Sequence, residues 1–157
     1  MHSELAHETP SAGTVDASPR LAGALVALPC WLLLVAAWTL TPHAGGFGTH
    51  TQLGLPGCSF LARTGYPCPS CGLTTSVAAA AHGRFGASLA AQPFGLVLFA
   101  AAGAYAAFGT GQAITGRQLW GRVRPGWWCV WAGLGGMLAG WAVRLGVGVA
   151  TGELPLP

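Results

Sequence analysis

Residues 21–40 read LAGALVALPCWLLLVAAWTL, a run of 20 residues without a charged side chain. At a rise of about 1.5 Å per residue, a helix of this length covers about 30 Å, the thickness of the hydrocarbon core of a bilayer. Arg20 precedes the run, and Thr41-Pro42 follows it. A cleaved signal peptide has an apolar core of only about 7–15 residues and rarely so long a polar lead. The run therefore predicts an uncleaved transmembrane helix.

The composition of the whole chain agrees with a membrane protein. Of its 157 residues, 52% are hydrophobic and 7% are charged, whereas a soluble domain has about 25% charged residues. Seven arginines and four acids cannot cover so much apolar material with a water-facing shell, so lipid must cover it. The arginines lie in short loops and not on one aromatic-rich face, as they would in a nucleic-acid-binding protein. We therefore predict the lipid bilayer, and no nucleic acid, as a partner.

Two further apolar runs predict two more spans. One is centred on residues 93–108, and residues 88–92 can lengthen it at its front. The other runs from Trp127 to Val143 and can continue past Arg144 to Ala150, because an arginine side chain can snorkel to the interface. Small residues repeat at every fourth position in both runs, which predicts close helix packing within the chain or, alternatively, a dimer seam. These residues are Gly103 and Ala107 in the second run and Ala132, Gly136 and Gly140 in the third.

Residues 73–91 are rich in alanine and could be mistaken for a fourth span. They carry His82-Gly83-Arg84 near their middle, and such residues are costly at bilayer depth. We therefore predict two short interfacial or re-entrant helices that are broken at Gly83, each too short to span.

Together these patterns predict an all-α, polytopic membrane protein with three transmembrane helices. The predicted spans are about 21–41, 90–110 and 127–147, within a single membrane domain of residues 20–150. A disordered cytoplasmic tail (1–19) precedes this domain, and a short C-terminal tail (151–157) follows it.

Arginine positions predict the orientation. The short loop between the second and third spans holds Arg117, Arg122 and Arg124, which should keep it cytoplasmic together with Arg20 and the N-terminus. The long first loop, with Arg63 and Arg84, then faces outward. Abundant alanine, glycine and arginine without any lysine suggest a GC-rich bacterial coding sequence, so we expect a bacterial cell membrane.

The most distinctive chemistry lies in that first loop, which holds three of the five cysteines. Cys58, Cys68 and Cys71 are spaced C-x9-C-x2-C, and Gly72 follows the last of them. The other two, Cys30 and Cys129, lie inside predicted spans and receive no role.

Three readings of this loop are open. Two of the cysteines could form a structural disulfide in an oxidising compartment, which would leave an odd thiol. Cys68 and Cys71 could form a dithiol redox pair with Cys58 as the resolving thiol, and a helix beginning at Leu73 would then favour their thiolates through its dipole. The three cysteines could also bind a metal, with His50 or His82 as a fourth ligand; no cofactor is expected to be required, but zinc is possible.

No catalytic constellation of another kind is visible. The four acids, Glu4, Glu8, Asp16 and Glu153, all lie in the predicted tails, so positioned carboxylates for hydrolytic chemistry are missing. We therefore predict a non-enzymatic membrane protein that is structural or accessory to a partner, which could be another membrane protein or a second copy of the chain.

The loop resembles the bacterial membrane proteins of domain of unknown function family 2752. The resemblance rests on Cys58-x-x-x-x-x-Thr64-Gly65-x-x-Cys68-Pro69-x-Cys71-Gly72-x-Thr74, followed by His82-Gly83 and by a polar residue and a proline that open the next span. It covers about Leu55 to Phe108 and implies a membrane protein with a cysteine motif, with no established activity. The family usually has arginine at the position of Thr75 and asparagine at the position of Gln92.

Overall fold

The computed structural model describes residues 19–118 and 126–152, and within these ranges all regular secondary structure is helical. Six α-helices and one 3₁₀ turn follow one another: α1 Pro19–Thr39, the 3₁₀ turn Thr49–Leu53, α2 Ser59–Thr64, α3 Leu73–Ala81, α4 Phe85–Ala91, α5 Pro93–Thr115 and α6 Trp127–Ala150. The predicted N-terminal tail, apart from Pro19, and most of the predicted C-terminal tail lie outside the described residues. We call the segment between α1 and α5, residues 40–92, the connector.

Three of these helices, α1, α5 and α6, are long and apolar enough to cross a membrane. Their large apolar side chains point outward; Leu25, Trp38 and Trp131 are 64%, 64% and 68% exposed. A water-soluble protein rarely leaves so much contiguous apolar surface uncovered. The predicted all-α fold with three spanning helices is confirmed.

The second span begins later than the sequence predicted. Gln92 has extended backbone angles (φ −166°, ψ 109°), and α5 starts at Pro93, whose missing amide is harmless in a first helical turn. Residues 88–91 belong to the separate helix α4, so the prediction that they lengthen the second span is wrong. At the other end α5 runs on to Thr115, and α6 continues through Arg144 to Ala150.

Residues 73–91 form two short helices, as predicted. The break falls at His82–Arg84, where Gly83 takes a left-handed conformation (φ +71°). Helix α3 is buried along Thr75–Ala80 and packs against α1, α4 and α5. It is therefore an interior element of the connector, covered by other helices on most of its surface.

The most extensive helix contact among the described residues joins α1 to α5 and includes a pair of glycines that the sequence analysis did not single out. A Cβ atom added to Gly23 would lie 2.7 Å from the carbonyl oxygen of Gly109. Farther along, the Trp31 indole N–H donates to Thr110 Oγ1 at 3.1 Å. By contrast, a Cβ on Gly103 would meet nothing within 4 Å among the described residues, so the close packing within the chain that was predicted at Gly103 is wrong, and the alternative of a dimer seam stays a prediction.

Helix α6 contacts the start of α5 and the end of the connector. A Cβ on Gly136 would lie 2.8 Å from the Phe94 ring, and one on Gly140 would lie 3.0 Å from Gln92 Oε1. The close approach predicted at Gly136 and Gly140 is therefore made within the chain.

The two ends of the bundle differ in character. At one end the Gln112 side chain donates to the carbonyl of Pro19 at 2.9 Å, which joins the end of α5 to the start of α1. The connector lies at the opposite end, because it begins where α1 ends and finishes where α5 begins.

Candidate functional site

The three loop cysteines come together in the connector. The sulfur atoms of Cys58, Cys68 and Cys71 all lie within 4.8 Å of one another, and those of Cys68 and Cys71 are 3.2 Å apart. All three are free thiols, since a disulfide would bring two sulfurs to about 2.05 Å. We call this group the cysteine cluster.

Local backbone structure places each sulfur. Cys58 is the N-cap of α2, and its sulfur accepts the amide N–H of Leu61 at 3.5 Å. The Cys68–Cys71 turn is closed by the Cys71 amide, which donates to the Cys68 carbonyl at 2.9 Å. Gly72, with φ +89°, then turns the chain into α3. A side chain at this residue would collide with the backbone of Ala91 and Gly46, so the turn requires glycine.

Two side chains from outside the turn hold the carbonyls on either side of Cys68. The indole N–H of Trp141, on α6, donates to the carbonyl of Pro67 at 2.7 Å. The fully buried Gln92 side chain donates through Nε2 to the carbonyl of Pro69 at 3.2 Å and to that of Met137 at 3.3 Å. The cluster is therefore fixed to two of the spanning segments. Sequence reasoning missed both residues; the polar Gln92 at the edge of an apolar run was the signal available for one of them.

Buried hydroxyl groups fasten the rest of the connector. Ser76 Oγ lies 2.9 Å from both the carbonyl and the hydroxyl of Ser88, and donates to the carbonyl of Gln92 at 2.7 Å. The hydroxyls of Thr49 and Thr75 are 2.8 Å apart. Thr75 is thus a buried partner of the 3₁₀ turn.

Neither predicted histidine belongs to the cysteine cluster. His50 Nε2 lies 3.2 Å from the carbonyl oxygen of Pro56. His82 stacks on Trp38 with ring centroids 5.1 Å apart, and its Nδ1 lies 2.8 Å from the carbonyl oxygen of Ala78. The structure brings the three sulfurs together without either ring, so metal ligation by His50 or His82 stays a prediction. Cys30 and Cys129 lie in α1 and α6, as expected.

The thiols of the cluster differ in acidity. The Leu61 amide, helped by a hydrogen bond with Cys71, lowers the pKa of Cys58 from 9.0 to about 7. Burial, followed by the neighbouring thiol of Cys68, raises the pKa of Cys71 from 9.0 to about 12. A helix does begin at Leu73, but burial of Cys71 disfavours the thiolate that the helix dipole was expected to favour there.

One family model matches the chain. It is described as a protein of unknown function (DUF2752), and it matches residues 58–106. The resemblance to DUF2752 seen in the sequence is thereby confirmed. The DUF2752 match begins at the first residue of the cysteine cluster and ends within α5, so it takes in the whole cluster and the three short helices α2, α3 and α4. Neither a curated protein nor a solved structure gives a significant match to the chain.

The pKa of Cys58 leads to a testable pH dependence. In metal-stripped, detergent-purified protein, we expect its alkylation by iodoacetamide to accelerate about tenfold per pH unit up to about pH 7 and then to level off, because only the thiolate reacts. In the unfolded chain the acceleration should continue to about pH 8.5. Peptide mass spectrometry of timed samples measures both profiles. Identical profiles in the folded and unfolded protein would contradict the lowered pKa.

Proposed function

We propose that this chain is a small membrane protein whose cysteine cluster binds a thiophilic divalent ion, with zinc as the best fit, in a structural role. The observation that carries the proposal is the meeting of all three loop sulfurs within 4.8 Å. Tetrahedral zinc with Zn–S distances of about 2.3 Å requires sulfurs about 3.8 Å apart. The spacing in the cluster, from 3.2 Å up to at most 4.8 Å, brackets that value.

Three converging sulfurs favour a metal over a structural disulfide. A disulfide uses two sulfurs and gives no reason for a third to be held beside them. Cys58 is separated from Cys68 by nine residues, yet the N-cap of α2 directs its sulfur to the Cys68–Cys71 turn. The raised pKa of Cys71 is no obstacle, because a coordinated thiol is deprotonated by the metal. A water molecule or a donor from a partner would complete a tetrahedral set.

A bound ion would stabilise the position of the connector relative to the spanning helices. It would join α2 to the Cys68–Cys71 turn, and that turn is already held by Trp141 from α6 and by Gln92 at the start of α5. This role needs no catalytic group, and it suits a protein that is structural or accessory to a partner. The partner would be another membrane protein or a second copy of the chain.

We further propose that the chain lies in a bacterial cell membrane with its connector outside. The arginine pattern supports this orientation: Arg20 lies beside Gly116 at the end away from the connector, with Arg117 following. Arg144 contacts the connector, and counting it on that side makes the excess of arginines on the cytoplasmic side smaller. A membrane-impermeant maleimide added to intact cells should label metal-free Cys58 in this orientation. Labelling only after the cells are lysed would reverse it.

Metal analysis tests the main proposal. Protein purified in detergent from zinc-supplied cells should carry about one zinc per chain by plasma mass spectrometry. Cys58→Ser and Cys71→Ser should each reduce this ratio to about one tenth or less, because two thiolates hold zinc far less tightly than three. Cys30→Ser and Cys129→Ser serve as matched controls and should keep the zinc. A wild-type chain without metal, or a ratio that does not respond to Cys71→Ser, would contradict the proposal.

The acidity difference within the cluster supports a second candidate, thiol–disulfide exchange. The Cys58 thiolate would attack the disulfide of a partner protein, and one partner sulfur would leave as a thiolate. Deprotonated Cys68 or Cys71 would then attack the sulfur of Cys58, release the second partner thiol, and leave a disulfide within the chain. Mixed disulfides trapped in metal-free protein that carries both Cys68→Ala and Cys71→Ala would favour this candidate.

A further inference from the structure

A cavity of about 590 Å³ is lined largely by the connector, and no residue of the cysteine cluster lines it. Its wall is built mainly from three parts of the chain, namely the loop after α1, helix α4 with the start of α5, and the last turns of α6; Thr75 and Ala79 of α3 complete it. All three parts lie at the end of the bundle where α1 stops and α5 begins. The cavity therefore opens where a spanning protein meets the headgroup layer of a bilayer.

Two arginines line this cavity, one near each end of α4. Arg84 is the N-cap of α4 and is exposed. Arg144, on α6, donates from Nη1 to the carbonyls of Ala90 and Ala91 at the other end of α4. A helix of seven residues is about 10 Å long, so the side chains of Arg84 and Arg144 can reach one ligand that lies along α4.

Arg144 is held in a defined position. Besides its bonds to the end of α4, its guanidinium lies over the Phe47 ring, 5.4 Å from the centroid. A guanidinium fixed in this way loses little further freedom when it donates an additional hydrogen bond to a planar or tetrahedral oxyanion. His43 also lines the cavity, and no acidic side chain does so within the part of the chain that the structure describes. The lining thus has a positive electrostatic sign.

Part of the lining is made of exposed apolar side chains. Leu89 on α4 and Val143 and Val147 on α6 are each about half exposed, at 49%, 56% and 55%. Contact with these apolar side chains would not stabilise a free inorganic anion. A molecule with an anionic head and an attached hydrocarbon portion matches both halves of the cavity.

We infer that this cavity binds the phosphate-bearing headgroup of an anionic phospholipid, with the glycerol and first acyl carbons against Leu89, Val143 and Val147. The phosphate is held by Arg84 and Arg144, since guanidinium groups bind phosphate oxygens with charge-assisted hydrogen bonds. The site is separate from the cysteine cluster and does not depend on the metal proposed there.

Native mass spectrometry of the full chain in detergent, titrated with phosphatidylglycerol, tests the inference. Wild type should retain phosphatidylglycerol about tenfold more strongly than phosphatidylcholine, and Arg84→Gln should weaken its retention about fivefold to tenfold. Arg63→Gln is the matched control, because it removes the same charge from α2, outside the cavity. Arg144→Gln should weaken retention as well but also loosens α4, so Arg84→Gln, with an unchanged melting temperature, is decisive.

The other outcomes of the retention and displacement measurements either support or overturn the lipid site. Retention by Arg84→Gln equal to that of wild type, or an equal loss in Arg63→Gln, would overturn the site. Inorganic phosphate or glycerol phosphate that displaces phosphatidylglycerol at equal concentration would overturn the lipid assignment, because it would mean that the apolar lining adds nothing. Failure of both to displace the lipid supports it.

Discussion

The substitution Gly72→Ala is expected to dismantle the cysteine cluster and to lower the melting temperature in detergent by about 10 °C. Gly72 holds a left-handed conformation (φ +89°), and a Cβ there would lie 2.5 Å from the carbonyl oxygen of Ala91 and 3.0 Å from that of Gly46. Neither neighbour is a flexible side chain, so the turn, the end of α4 or the loop after α1 must move. Strain and overpacking of this kind together cost about 3 kcal/mol or more.

Gly65→Ala is the matched control for that prediction. Gly65 also has a left-handed conformation (φ +77°), at the end of α2, but a Cβ there would meet nothing within 4 Å of the described atoms. This variant should therefore lose only the conformational part, about 1 kcal/mol. Tryptophan fluorescence during heating and the zinc content of each variant give the two readouts. If Gly65→Ala and Gly72→Ala lose equal stability, the loss in Gly72→Ala does not come from the close approach of Gly72 to Ala91 and Gly46.

The second large effect is expected at the contact between α1 and α5. Gly109→Ala should destabilise the folded protein by about 2–3 kcal/mol, because its Cβ would lie 2.9 Å from the backbone of Ala27 and of Gly23, and helices this close can only separate. Since the connector joins these two helices, their separation should also disturb α3, which packs against both.

Gly103→Ala, in the same helix, provides the comparison. A Cβ at Gly103 would meet nothing within 4 Å in the described structure, and alanine is a better helix former than glycine by about 1 kcal/mol. Gly103→Ala should therefore be neutral or slightly stabilising in the same thermal assay. A loss at Gly103 as large as that at Gly109 would show that α5 uses a different face from the one described.

The arrangement explains how a chain with so few polar residues can build a defined site. The connector buries hydroxyl and amide groups that donate hydrogen bonds to its own carbonyls. Ser76 Oγ donates to the carbonyl of Ser88, and Gln92 Nε2 donates to that of Pro69. Gln92 Oε1 is buried without a partner in the described structure, and it faces the close approach of Gly140.

Several features of this protein followed from the sequence alone. The length of the apolar runs set three spanning helices, because a bilayer has a fixed thickness and tolerates few charges within it. The break near Gly83 was predictable for the same reason, since His82 and Arg84 exclude a fourth span. The cysteine loop was evident as well, because spacing and turn residues are local signals.

Tertiary structure alone decided which groups meet. No local pattern could reveal that Gly23 faces Gly109, that Trp141 holds the carbonyl of Pro67 across 74 residues of sequence, or that Arg144 lies against α4. The acidity of the thiols was also beyond the sequence. The helix that matters for Cys58 is α2, and burial of Cys71 reversed the effect expected from α3. Hydrophobic length and turn chemistry act between near neighbours, whereas packing, desolvation and long-range hydrogen bonds depend on where distant segments come to lie.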